Sequence, residues 1–100
     1  MIYLVWLRVA PLPGCKVVPD AADDALECAL EAAAPERVPA LLNDALHRHR
    51  QQVRELEACI PFVPAAWNDA NDPGARVRKA AEAARTRGGV QFASFGQKPP

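Results

Sequence analysis

The chain opens on a nearly unbroken apolar run from Ile2 to Val9, interrupted by Arg8. Both alternating sets are apolar: Ile2, Leu4 and Trp6 on one side, Tyr3, Val5 and Leu7 on the other. β-Branched and aromatic residues favour extended backbone, and an apolar character on both sides calls for cover on both faces. The run therefore predicts a strand, and the best candidate for the centre of a sheet. Pro11-Leu12-Pro13-Gly14 predicts a turn. Cys15 to Val18 predicts a short second strand, antiparallel to the first and closed by Pro19.

Beyond Pro19 the apolar positions switch to helical spacing. Ala22, Leu26, Ala29, Leu30 and Ala33 share one helical face. Asp20 suits the N-cap and Asp23 the N3 position, so a helix is expected to about Ala33, ended by Pro35. The next stripe is Leu42, Leu46, His49, Val53, Leu56 and Ile60, in alternating steps of four and three. That heptad spacing predicts a long helix from Val38 or Pro39 to about Cys59. It packs on the sheet or, in the sharper reading, offers a homodimer seam along the 42–60 helix.

Ile60 to Asn71 reads as an irregular connection. Asp72-Pro73 is an N-cap followed by Pro in the first turn. A helix is then expected over Gly74–Arg87, with Val77, Ala80, Ala81 and Ala84 inward and Gly88-Gly89 as its stop. Val90 to Phe95 predicts the last strand. The expectation is one small α+β domain over residues 1–95, in β-β-α-α-α-β order. A sheet of about three strands carries the helices, and residues 96–100 form a short tail.

Charge sharpens this outline. The chain is balanced, with 12 basic and 12 acidic residues. A net charge of zero argues against a wholly basic nucleic-acid binder or a polybasic membrane binder. The two signs are nevertheless separated. Asp20 to Glu36 holds six acids (Asp20, Asp23, Asp24, Glu27, Glu31, Glu36) and no base. Arg76 to Arg87 holds five bases (Arg76, Arg78, Lys79, Arg85, Arg87) and one acid, Glu82. On a helix, Asp23, Glu27 and Glu31 would stack at i, i+4 and i+8, where like charges cost a few tenths of a kcal/mol each. Either the basic helix of the same chain or a basic partner is expected to offset that.

The longest apolar run, Met1 to Leu7, falls far short of the roughly 20 residues that span a bilayer. Leu12-Pro13-Gly14-Cys15 has the look of a lipidation site, but no basic segment precedes it and Arg8 breaks the apolar stretch. A strand and a turn explain it. The three cysteines, Cys15, Cys28 and Cys59, form no CxxC pair, which suits reduced thiols and a cytoplasmic location.

Candidate chemistry is sparse. In His47-Arg48-His49-Arg50 the two imidazoles would lie about 200° apart on a helix and share no ligand. His49 falls on the apolar stripe and is expected to be a buried, hydrogen-bonded core residue, with His47 exposed. No electropositive setting activates a cysteine. Gly88-Gly89 follows a helix, whereas phosphate cradles precede one. Asn68 to Asp72 lacks the glycine and distal glutamate of a calcium loop. No catalytic residue, metal site or cofactor is expected. The function that remains is non-enzymatic binding. The first expectation is a small inhibitory, immunity-type protein that neutralises a basic toxin or nuclease through an acidic helix face of Asp23, Asp24, Glu27 and Glu31. The alternative is a nucleic-acid-associated protein whose basic helix, 74–87, lays Arg76, Lys79, Arg85 and Arg87 along a phosphate backbone, with Gln91 nearby.

Overall fold

The computed structural model describes residues 1–13, 25–67, 74–96 and 98–99. Strand β1 spans Ile2–Pro11, β2 Ala25–Glu31, helix α1 Val38–His47, β3 Gln51–Pro61, α2 Gly74–Arg87 and β4 Val90–Phe92. Single 3-10 turns stand at Pro35–Arg37 and Pro64–Trp67. Among the described residues the four strands form one antiparallel sheet in the order β3-β1-β2-β4.

β1 behaves as its composition demands. Tyr3, Val5, Leu7 and Val9 face a core closed by Val38, Leu42 and Leu46 of α1. Leu4 and Trp6 face a second core closed by Val77, Ala80 and Ala84 of α2, and by Phe95. Each such Leu or Val contributes roughly 1.5–3 kcal/mol by leaving water. The class is α+β, with one helix on each face of the sheet. The alanines of α2 bring it close to the strands, and the larger rings of Trp6 and Phe95 fill the remaining space edge to face, 5.3 Å apart at 72°. Gly88, at φ 72°, donates its N–H to the Ala84 carbonyl and ends α2 where the sequence placed the stop. β4 ends at Phe92, earlier than expected, and Phe95 drops into the α2 core beyond it.

Two expectations are corrected. Residues 25–31, expected in an acidic helix, form β2, paired with β1 from Ile2↔Glu31 to Arg8↔Ala25. A central strand buried on both faces needs a hydrogen-bonding neighbour on each edge, and that need outweighs the local helix propensity of an alanine-rich segment. Leu26, Cys28 and Leu30 therefore point to the α1 core, and Ala29 to the α2 core. The expected strand Cys15–Val18 and the Asp20 cap lie outside the described residues.

The long helix is also absent. α1 stops at His47, and Arg48 to Arg50 turn, with Arg50 in the left-handed region at φ 57°. Gln51 to Pro61 return as β3 along β1. The pairing slips twice. Trp6 faces Ala58 while Leu7 faces Leu56, and Arg8 faces Glu55 while Val9 faces Val53. Glu57 and Arg54 are thus the extra residues of two bulges. Each bulge stretches the strand period from two to three, so Val53, Leu56 and Cys59 all face the α1 core. A doubly bulged strand therefore copies the spacing of a helix. The homodimer seam along a 42–60 helix falls with it, and His49 is exposed on the turn rather than buried. His47 is exposed, as expected. The Oδ1 of Asn43 accepts the Val53 N–H at 2.9 Å and ties α1 to this edge strand.

Cys28 and Cys59 lie opposite Val5 from its two sides. Two strand spacings put their Cα atoms about 10 Å apart, too far for a disulfide. Burial pushes the Cys28 thiol up from 9.0 to about 12, and raises Cys59 as well. The fold thus favours the neutral thiol. The resulting stability is intact below about pH 9 and is lost as pH climbs towards 12. Urea melts at pH 8 and pH 11 should show a smaller alkaline loss for Cys28→Ala than for the wild type. Equal losses would contradict a buried neutral thiol.

Candidate functional site

α2 turns about 100° per residue, so its buried stripe of Val77, Ala80, Ala81 and Ala84 leaves two exposed flanks. Arg76, Lys79 and Arg87 fall on one, and Arg78, Glu82 and Arg85 on the other. Arg85 Nη2 donates to both carboxylate oxygens of Glu82, at 2.8 and 2.7 Å, and Arg78 Nη1 donates to the Trp67 carbonyl at 2.9 Å. The four expected nucleic-acid contacts are therefore not one surface: Arg76 and Lys79 come together, and Arg85 points elsewhere.

Arg76 and Lys79 stand one helical turn apart on the wall of a groove of about 420 Å³. Ala80 and Ala83 complete that wall, and Gln91, Phe92, Ala93 and Ser94 form the opposite one. Phe92 is 41% exposed. Gln91 Nε2 donates to the Gly88 carbonyl at 2.9 Å, which fixes the amide at the end of α2. The Arg76 guanidinium reaches over the C-terminal segment, its Nη1 3.7 Å from where a Cβ would stand on Gly96. The groove keeps its shape because Phe95 is buried beneath it and its N–H is held by Glu27 Oε2 at 3.3 Å. Phe92 and Ser94 were not singled out by the sequence. Alternation through Val90–Phe92 was the available signal, since it sets Val90 and Phe92 on the α1 face and Gln91 on the α2 face beside the groove.

The expected acidic helix face does not form. Glu27 and Glu31 sit on β2, opposite Trp6 and Ile2 and so on the α2 side of the sheet. Glu27 is half-buried and engaged with Phe95. Glu31 is exposed at the strand end and lines a separate cleft of about 290 Å³ with Leu41, Asp44 and Arg48. Leu41, 39% exposed, lies off the buried Leu42–Leu46 stripe of α1. Asp23 and Asp24 lie outside the described residues. At the far end of the sheet the bulge residue Glu57 accepts the Nε of Arg8 at 2.6 Å, beside Glu27 and Lys98.

Neither thiol with a raised pKa lines the groove. Among the described residues, no three His, Cys, Asp or Glu side chains gather into a cluster that could hold a metal ion. No described helix is long and apolar enough to cross a membrane. No protein-family model, curated protein or solved structure matches the chain, so its function is read from these surfaces.

The two strand carboxylates should separate on mutation. Glu27→Lys removes the acceptor of the Phe95 N–H and adds a cation near Arg8 and Lys98. It should cost about 1–3 kcal/mol of folding free energy. Glu31→Lys should stay within about 0.5 kcal/mol. Equal stability losses in denaturant melts would contradict the structural role of Glu27.

Proposed function

We propose that the chain is a non-enzymatic binding module whose working surface is the basic flank of α2 with the groove beneath it, and whose partner is an anionic macromolecule. The observation that carries this is the placement of Arg76 and Lys79 on one wall of that groove, facing Gln91, Ser94 and the chain through Phe92. Two cations one turn apart on a packed helix are held at a fixed spacing, so a partner's charges meet a preformed surface. The polar side chains opposite add directional contacts, and Ala80, Ala83 and Ala93 leave room for a partner between the walls. A nucleic acid and an acidic protein segment both carry the required charge.

Fluorescence anisotropy with a labelled oligothymidine and with labelled polyglutamate tests this at about 50 mM salt, where ionic contacts are strong. At least one probe should bind, weaken steeply as salt rises, and be lost on Arg76→Glu/Lys79→Glu with the circular dichroism spectrum unchanged. Absence of binding by both probes, or full binding by the folded double variant, would sink the proposal.

A second role is favoured by the cleft at the other end of β2. There the exposed Leu41 stands among Glu31, Asp44 and Arg48. An exposed apolar side chain in a cleft bordered by Asp44 and Glu31 suits a basic protein partner. On this surface the chain would act as an inhibitory, immunity-type protein that neutralises a toxin or nuclease, with Glu31 and Asp44 meeting its cations. Pull-downs with the wild type and with Glu31→Lys/Asp44→Lys should then differ by one basic protein. Identical partner lists would rule this role out.

A further inference from the structure

We infer that the anionic partner is an extended acidic peptide segment that adds as a strand to the outer edge of β4; this rests on the binding role of the groove proposed above. The orientation of that edge follows from its pairing. Val90, Gln91 and Phe92 lie opposite Leu30, Ala29 and Cys28, and the Ala93 N–H donates to the Glu27 carbonyl at 3.1 Å. Backbone groups alternate in direction along an antiparallel ladder. Gln91 and Ala93 therefore point theirs at β2, and Val90 and Phe92 point their N–H and C=O groups away from the sheet. Among the described residues no strand lies on that side.

The groove runs along this same edge, with Arg76 and Lys79 above it on α2. A peptide laid beside β4 would send alternate side chains towards the helix. Carboxylates at those positions meet the two cations, while the main chain pairs with Val90 and Phe92. This is recognition by strand addition, in which backbone bonds hold the segment and alternate side chains select it. A nucleic acid fits the edge less well. Its phosphates accept hydrogen bonds but donate none, so the outward carbonyls of Val90 and Phe92 would stay unpaired. Only a peptide supplies donors and acceptors in alternation.

The opposite edge of the sheet is less suited to such pairing. β3 is bulged at Arg54 and Glu57 and ends in Pro61, which has no N–H to offer. β4 has neither bulge nor proline. Its shortness limits the number of backbone bonds, so selectivity falls to Arg76 and Lys79.

The test uses the whole chain, labelled with 15N, and an eight-residue peptide of alternating Glu and Val. Adding the peptide should slow amide exchange at Val90 and Phe92. A Lys/Val peptide should leave it unchanged, as should the Glu/Val peptide N-methylated at alternate residues on its pairing edge. Lys79→Glu should weaken the acidic peptide several-fold and leave exchange within β2 intact. If a twelve-residue oligothymidine binds in a salt-dependent way while the acidic peptide leaves Val90 and Phe92 unprotected, the strand-addition inference is overturned and the anionic-partner role survives. If neither probe binds, both are overturned. Equal binding by the N-methylated peptide also overturns the inference, since charge alone would then suffice.

Discussion

β1 has no solvent-facing side. Tyr3, Val5 and Leu7 need cover from one direction and Leu4 and Trp6 from the other, and its backbone needs a neighbour on each edge. The rest of the fold answers that constraint. β2 and β3 satisfy the edges, α1 closes one face, and α2 with Phe95 closes the other. The two cores differ in character. The α1 core is built mainly from Leu and Val side chains, with Tyr3, Cys28 and Ala32 among them. The α2 core uses alanines on the helix and two aromatic rings from below, so α2 sits close over the sheet.

That asymmetry shapes the candidate site. A helix held low over β2 and β4 leaves its Arg76–Lys79 flank overhanging the β4 edge. Phe95, inserted against Trp6, draws the C-terminal segment under the helix, and Gln91 to Ser94 form the opposite wall of the groove. Glu27 contributes by holding the Phe95 N–H, a task for which a half-buried carboxylate on β2 is well placed. The charge separation evident in the sequence thus resolves into two uses. One acid of the run supports the groove from below, and the helix cations border it from above.

What the sequence revealed depends on how plainly each period was written. β1 was legible because two apolar alternations overlap in it. α2 was legible because Val77, Ala80, Ala81 and Ala84 repeat at helical spacing before a double-glycine stop. β2 was misread because Leu26 and Leu30, four apart, fit a helix turn and an even strand step equally well; only Cys28 between them marks the alternation. β3 was misread for a stronger reason. Its two bulges place Val53, Leu56 and Cys59 at intervals of three, and those positions continue the true helical spacing of Leu42 and Leu46 without a visible break. His49 was drawn into the core by the same continuity, although the chain turns there. In the site, Arg76 and Lys79 were legible as helix cations. Their separation from Arg85 followed only once the buried stripe fixed the rotation of α2, and the outward backbone of Val90 and Phe92 required the register of β4.

The claim on which the functional account depends is that β4 is a sheet edge with its outer side open beside the α2 cations. Residue-resolved amide exchange on the free chain tests it most directly. Gln91 and Ala93, bonded towards β2, should exchange slowly, and Val90 and Phe92 rapidly. Uniform protection across Val90 to Ala93, or the opposite alternation, would contradict it.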